Sequence, residues 1–164
     1  MVRDALLPLA RRLGARLRKH GLKLATAESC TGGWIAQAVT SVAGSSEWFE
    51  RGFVTYSNAA KKELLGVRAS TLARHGAVSE ETAREMAAGA LRRSRAQLAV
   101  AVTGVAGPGG GTRNKPVGTV CFAWARRRRR SRSAVRRFAG GRDSVRRQSV
   151  AAALKGLLER LEDG

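Results

Sequence analysis

A serine, a cysteine and a threonine stand side by side in the stretch TAESCTGGW, which runs from Thr26 to Trp34. A hydroxyl or thiol attacks a carbonyl carbon when a base removes its proton and hydrogen-bond donors stabilise the charge on the carbonyl oxygen. The apolar run before Ser29 predicts a strand and the residues after it predict a helix. Ser29 therefore falls at a strand-to-helix turn and is a candidate nucleophile.

The first amides of an α-helix have no partner within the helix and can bind an anion. Thr31, Gly32 and Gly33 are small residues, so they leave such amides open to a ligand. Two plainer interpretations remain open. Ser29 can be the N-cap of the helix, and Cys30 can be a buried apolar residue, so that as a nucleophile it ranks behind Ser29.

A serine nucleophile needs a base, and neither His20 nor His75 lies near a predicted strand end. A lysine can serve when burial lowers its pKa and leaves the amine neutral. Lys61 and Lys62 follow the second predicted strand, and Tyr56 at the end of that strand can orient the amine or relay a proton. The alternative is that both lysines lie in solvent on a short helix.

A glycine-rich stretch, TGVAGPGGGTRNKPVG, follows the third predicted strand and begins at Thr103. Glycines let a backbone approach a ligand closely, which suits a binding loop, although a flexible surface loop is an equal alternative. The spacing matches neither of the common phosphate-binding loop motifs. The glycines concerned are Gly104, Gly107, Gly109, Gly110 and Gly111.

Two arginines lie one turn apart at the start of the last predicted helix, Arg142 and Arg146. Cations are unfavourable at this end of a helix dipole, so their placement indicates a use such as binding an anion like phosphate. Ordinary surface arginines are the alternative. Glu28, beside the candidate nucleophile, can support the site or simply pair with the helix dipole.

Helices alternate with strands along the chain, and two strands near its end read as a hairpin. This order predicts one domain, residues 1–164, folded as a three-layer α/β/α sandwich with a mixed, mostly parallel sheet. Ligands collect at the carboxyl ends of such strands, where Ser29, Tyr56 and Thr103 fall. The predicted helices cover 4–20, 31–44, 58–67 with an Asn58 cap, 77–95 with a Ser79 cap, and 143–162; the strands cover 22–29, 51–57, a segment from 96, 117–125 and 133–140.

The net charge of +19 is concentrated near the end of the chain, with eleven arginines and a single aspartate between Arg126 and Arg147. A basic hairpin segment at about 126–137 can attract nucleic-acid phosphates. Because no aromatic residues for base stacking interrupt the arginine run, a solvated surface is favoured over specific nucleic-acid recognition. No apolar run is long enough to span a membrane, and two isolated cysteines suit reduced thiols, so we expect a soluble, cytoplasmic protein.

Taken together and in order, TAESCTGGW, VTYSN, HGAVSEETAREMA, VAVTGVAGPGGG, KPVGTV and GRDSVRRQ resemble the CinA C-terminal domain family over nearly the whole chain. The resemblance implies the same three-layer fold. It also implies hydrolysis of the carboxamide of nicotinamide mononucleotide to nicotinate mononucleotide and ammonia, in pyridine-nucleotide salvage. Ser29 would be the nucleophile, Lys61 rather than Lys62 the base and Tyr56 a proton relay, with no metal or organic cofactor.

The resemblance further implies a mononucleotide-binding pocket, and we expect a homo-oligomer. The family often has aspartate at the positions of Gly109 and Gly141, and many relatives carry a larger N-terminal domain, so this chain resembles the stand-alone form. The alternative function is a catalytically silent member that binds nucleic acid or mediates oligomerisation. The candidate substrate-binding residues are Cys30, Thr31, Gly32, Gly33, Asn58, Thr103, Gly104, Gly107, Arg142 and Arg146.

Overall fold

The computed structural model describes residues 5–162, which form one five-stranded sheet in the order β2-β1-β3-β4-β5. β1 pairs in parallel with both β2 and β3, and the β3–β4 and β4–β5 pairs are antiparallel. Four of the five strands therefore point the same way, which confirms the mixed, mostly parallel sheet. The strands are β1 Leu24–Glu28, β2 Phe49–Val54, β3 Leu98–Gly104, β4 Thr119–Arg126 and β5 Arg132–Arg137.

Helices cover both faces of this sheet and complete the predicted three layers. α1, α2 and α6 pack on one face, where leucine, valine and aromatic side chains of the strands form the larger core. α3, α4 and α5 pack on the other face, where the strands present mainly alanine. The helices are α1 Leu6–His20, α2 Trp34–Thr40, α3 Asn58–Leu65, α4 Ala69–His75, α5 Glu80–Arg92 and α6 Arg142–Glu162.

Helix α6 lies unusually close to the sheet, and this closeness determines where its first turns sit. A Cβ added at Gly156 would lie 2.1 Å from the Trp124 ring. The Trp124 indole also donates its N–H to the Ala153 carbonyl at 3.0 Å. Any side chain at Gly156 would therefore push α6 away from β4.

Several helix starts differ from the predicted ones. α2 begins at Trp34 and not at Thr31, because Gly32 and Gly33 have φ values of 59° and 104°, which a right-handed helix excludes. The predicted Asn58 cap is wrong, since the Ser57 side chain accepts the amide of Ala60 at 3.0 Å and caps α3. The Ser79 cap of α5 is confirmed by its bond from Thr82.

The sequence pattern does not predict α4, a short helix of seven residues that has no side-chain cap and buries only Thr71 fully. The predicted start of the first helix at Asp4 lies outside the described residues, within which α1 begins at Leu6. Across residues 5–162, every helix is too short or too polar to cross a membrane.

The two ends of the sheet have different neighbours. The carboxyl edge is where β1, β2 and β3 end, at Glu28, Val54 and Gly104. The amino edge is the opposite end, where Arg126 of β4 pairs with Leu98 at the start of β3. The turn between β4 and β5, with its arginine run, therefore lies at the amino edge, away from Ser29.

Candidate active site

Ser29 follows β1 directly and stays in the sheet, since its amide donates to the Val102 carbonyl of β3 at 2.9 Å. It does not cap α2, whose N-cap is Gly33. The Glu28 carboxylate bonds the helix amides of Ile35 and Ala36 at 2.8 and 3.1 Å. Because Glu28 takes over the capping role, the Ser29 hydroxyl is available for another partner.

That partner is Lys61, whose Nζ lies 3.0 Å from the Ser29 Oγ. Both side chains are buried, with 1% of Lys61 and 8% of Ser29 exposed. Lys61 lies one turn into α3, which packs beside β1 on the alanine-rich face of the sheet. The neighbouring Lys62 is exposed. The structure thus brings together the serine and one of the two candidate lysines.

The surroundings of Lys61 favour the neutral amine. Burial lowers the pKa of Lys61, and no described carboxylate lies within 4 Å of its Nζ to offset that cost. The Nζ also contacts the carbonyl oxygens of Thr55 at 3.0 Å and Tyr56 at 3.4 Å. A neutral amine has two N–H donors for those carbonyls and one lone pair, which then faces the Ser29 hydroxyl as an acceptor.

The backbone N–H groups that are available to a ligand beside Ser29 differ from those that the sequence predicts. Gly32 donates its N–H to the Ser29 carbonyl at 3.0 Å, and Glu28 occupies the first amides of α2, so the expectation of open amides is wrong for Gly32 and for the helix itself. The N–H groups of Thr31 and Gly33 have no acceptor among residues 5–162. The donors available to an oxyanion therefore belong to the turn itself and not to the helix.

Cys30 is not an activated thiol. Burial raises its pKa to about 12, and the Glu28 carboxylate contributes in the same direction. The fraction of reactive thiolate at neutral pH is therefore very small. The Cys30 side chain packs in the larger core, so the ranking of Ser29 before Cys30 agrees with the structure.

Two of the arginines of α6, Arg142 and Arg146, bond groups of the loops at the carboxyl edge. Arg142 donates to the Gly107 carbonyl at 2.7 Å and to the Tyr56 hydroxyl at 3.1 Å. Arg146 donates to the carbonyl oxygens of Cys30 and Thr31, both at 3.1 Å. These acceptors offset the unfavourable helix-dipole position of the two cations.

The Tyr56 hydroxyl bonds Arg142, while its carbonyl oxygen contacts Lys61. Its side chain is 63% exposed. No bond between this hydroxyl and either Ser29 or Lys61 occurs in the described part of the chain. A proton relay through Tyr56 would therefore require the phenol to leave Arg142.

The remaining predicted residues lie around the same edge. The Thr31 hydroxyl bonds Glu28 at 2.6 Å, and the Thr103 hydroxyl donates to the Ala77 carbonyl at 2.9 Å. Gly104 has no room for a Cβ, which would lie 2.8 Å from the Thr119 carbonyl oxygen. Asn58 is exposed at the start of α3. Thr103 thus holds the segment before α5, and Gly104 allows β3 to lie close to β4.

Nothing in the sequence points to Thr55, whose carbonyl oxygen helps to hold Lys61. Backbone acceptors carry no residue signature, so only the position at the end of β2 hints at this role. A Cβ added at Gly109 or Gly141 would meet no heavy atom within 4 Å beyond its chain neighbours, so a side chain such as aspartate would fit at both. Lack of space therefore does not explain the glycine at either position.

Comparison with known proteins gives a consistent family. The CinA C-terminal domain family model matches residues 6–161. The chain is 54% identical to the nicotinamide-nucleotide amidohydrolase PncC of Escherichia coli (strain K12), covering 96% of this chain and 95% of that protein. It is also 54% identical to the protein of that name from Pseudomonas putida, over 95% and 97% of the two chains.

Among solved structures, a competence/damage inducible protein from Agrobacterium tumefaciens is similar to this chain throughout. The TM-score is 0.93 and the sequence identity is 50%, covering 96% of this chain and 95% of the other. The arrangement of elements around the candidate site is therefore one that this group of proteins shares.

Proposed function

The chain belongs to the CinA C-terminal domain family, and from that premise we propose that it is a nicotinamide-nucleotide amidohydrolase. It would hydrolyse the carboxamide of nicotinamide mononucleotide to nicotinate mononucleotide and ammonia. The names of its relatives support the substrate, and the buried pair of Ser29 and Lys61 supports the chemistry.

One observation carries this proposal, the 3.0 Å separation between Lys61 Nζ and Ser29 Oγ, with no described carboxylate within 4 Å of that Nζ. Burying a lysine amine without a counter-charge costs free energy, and a packing role does not require it. A serine beside a neutral amine has both a nucleophile and a base. The arrangement therefore suits acyl transfer better than it suits a module for oligomerisation alone.

In the proposed reaction, Ser29 Oγ bonds to the amide carbon while its proton moves to the Lys61 amine. The carbonyl oxygen becomes an oxyanion, which the free N–H group of Thr31, in the turn after Ser29, stabilises. The C–N bond then breaks, and the Lys61 ammonium gives its proton to the leaving nitrogen, which departs as ammonia. Nicotinate mononucleotide remains joined to Ser29 as an ester.

A water molecule then attacks the ester carbon and gives a proton to the Lys61 amine. The second tetrahedral intermediate breaks at the Ser29 Oγ, which takes the proton back from Lys61. Tyr56 contributes its carbonyl to the position of the amine, and its hydroxyl serves as a relay only if it leaves Arg142.

The substrate phosphate would meet Arg142 in preference to Arg146. Arg142 is exposed at the carboxyl edge, whereas Arg146 is half-buried and bonds the turn after Ser29. An exposed guanidinium beside an exposed tyrosine suits a phosphate that must enter and leave.

The test is ammonia release from nicotinamide mononucleotide by the purified protein and by Ser29→Ala. We expect activity in the unaltered protein, no measurable activity in Ser29→Ala, and unchanged activity in the control Ser131→Ala at the amino edge. Full activity in Ser29→Ala would remove Ser29 as the nucleophile. An inactive unaltered protein would contradict the proposed substrate.

A second candidate function, binding of nucleic acid, rests on a different observation. At the amino edge a cavity of about 490 Å³ is lined by Arg92 and by Arg126, Arg127, Arg128 and Arg129, without any acidic residue. Burial and then the charge of Arg129 lower the pKa of Arg126, and the crowding of like charges around this cavity favours an anionic ligand. This surface and the predicted homo-oligomer remain proposals independent of the amidase site.

A further inference from the structure

Arg146 is arranged differently from a typical phosphate ligand. Its guanidinium donates from Nε to the Cys30 carbonyl and from Nη2 to the Thr31 carbonyl, both at 3.1 Å. It also lies over the Trp34 ring, 5.4 Å from the ring centre. The planar guanidinium thus donates to two consecutive carbonyl groups of the turn after Ser29.

The geometry of a trans peptide links these carbonyls to the amides beside Ser29. In a trans peptide the C=O and the following N–H point in opposite directions. Because the Cys30 carbonyl accepts from Arg146 on α6, the Thr31 N–H of the same peptide points away from that guanidinium. The Thr31 carbonyl likewise faces Arg146, and the Gly32 N–H on the far side of that peptide bonds the Ser29 carbonyl.

The turn is held from a second direction as well. The Thr31 hydroxyl bonds the Glu28 carboxylate, which itself caps α2. A Cβ added at Gly32 would lie 3.5 Å from the Arg146 Nη2, so the guanidinium lies directly against the turn. With its carbonyls and its side chain both fixed, the turn has little freedom to rotate the Thr31 amide.

We propose that Arg146 is a positioning residue for the oxyanion site: it holds the Cys30–Thr31 peptide so that the Thr31 N–H faces the tetrahedral intermediate on Ser29. This inference rests on the proposed acyl transfer. In it Arg146 helps to stabilise the transition state through the turn and does not bind the substrate phosphate. A cation at the carbonyl also polarises the peptide, which makes its N–H a stronger donor. Lysine is a poor substitute, because one ammonium does not present a planar fork to two carbonyls.

The kinetic test compares Arg146→Lys and Arg146→Ala with the control Arg147→Ala. The control also removes one charge and one stacking contact on the same ring, since Arg147 lies 5.1 Å from the Trp34 ring centre. We expect kcat to fall about 10- to 100-fold in both Arg146 variants, with KM for nicotinamide mononucleotide changed by less than about twofold. Added guanidinium ions should partly restore kcat in Arg146→Ala.

A phosphate-binding role would give the opposite pattern. If KM rises about tenfold or more while kcat is unchanged, the inference is wrong. It is also wrong if Arg147→Ala loses as much kcat as the Arg146 variants, since loss of charge alone would then explain the effect. Circular dichroism of Arg146→Lys, the more conservative change, checks that the fold is intact.

A second measurement does not depend on the substrate. In the ¹⁵N–¹H NMR spectrum, we expect the Thr31 amide signal to move upfield in Arg146→Lys and to remain in place in Arg147→Ala. An unchanged Thr31 signal in Arg146→Lys would overturn the positioning role. If the unaltered protein does not hydrolyse nicotinamide mononucleotide, the proposed function fails, and the NMR result still decides the role of Arg146.

Discussion

Arginines crowd both edges of the sheet, yet the two edges use them differently. At the carboxyl edge, Arg142 and Arg146 donate to carbonyl and hydroxyl groups of the loops that carry the candidate site. At the amino edge, most of the run 126–130 is exposed and lines an open cavity. The density of charge in the sequence is greatest where the structure shows no catalytic arrangement.

Even within the arginine run, the role of a side chain depends on its partners. Arg127 donates to the carbonyls of Ala96 and Ser94 at 2.7 and 3.0 Å, so it supports the end of α5 and the following turn. The next three arginines of the run, 128–130, are exposed on the surface. Geometry at individual donors, and not local net charge, therefore distinguishes a structural arginine from one available to a ligand.

The largest expected effect separates two adjacent lysines at the carboxyl edge. Lys61→Met removes the proposed base and should lower kcat for ammonia release about 10³-fold. Lys62→Met, a matched change one residue away on the exposed side of α3, should retain normal activity. Thermal melting of both variants provides the control for folding.

Comparable activity in the two lysine variants would mean that the buried amine is not the base. Lys61, the only deeply buried lysine of the described chain, would then have a structural role, and the carboxyl edge would no longer be identified as the catalytic edge.

A smaller effect is expected at Arg142, on the same edge. Arg142→Gln should raise KM for nicotinamide mononucleotide about tenfold and change kcat less, because the proposed partner is the substrate phosphate. Steady-state kinetics with the nucleotide and with its dephosphorylated nucleoside measures this directly. Equal losses for both substrates would show that Arg142 acts through Tyr56 or Gly107 instead.

Substitutions at the amino edge should weaken nucleic-acid binding and leave catalysis unchanged. Replacing Arg126, Arg128 and Arg129 with glutamine should leave kcat/KM within about twofold, because these residues lie away from Ser29. The same change should weaken retention on single-stranded DNA and reduce its salt dependence. If the unaltered protein is not retained at low salt, the proposed nucleic-acid surface is wrong.

The smallest effect concerns the first residue before α6. Gly141 precedes Arg142, where an aspartate can cap the helix and offset the dipole. Gly141→Asp should stabilise the protein by a few tenths of a kcal/mol, with activity unchanged. Thermal melting against the control Gly109→Asp, at a loop position with similar free space, separates capping from a general effect of charge. A lower melting temperature would contradict the capping role.

Most of the fold is predictable because its signals are local. Apolar runs bounded by glycine or polar residues mark the strands, and the alternation of strands and helices determines the layers. The boundaries near Ser29 are harder, since Gly32 and Gly33 read as part of a helix while their positive φ values exclude it. Helix α4 is too short and too weakly patterned to predict.

The candidate site is predictable in outline and not in detail. Neighbouring strands often pair, which places the segment after β2 beside Ser29. Lys61 and Leu65 lie on one helical face, and Leu65 is buried, but the adjacent Leu64 leaves the orientation of α3 ambiguous from sequence. The roles of Arg142 and Arg146 depend on backbone carbonyls, which no residue type reveals.

The central claim is that Lys61 is a neutral base for Ser29, and a titration of its Nζ by ¹⁵N NMR tests this most directly. Burial lowers the pKa of Lys61, so the folded protein binds fewer protons here than the unfolded chain does, and stability should rise with pH up to the ordinary lysine value of about 10.4. We predict that Nζ loses its proton below that value, and that the acidic limb of the kcat profile follows the same titration. An amine that stays protonated up to about pH 10, with activity that does not follow it, would contradict the account.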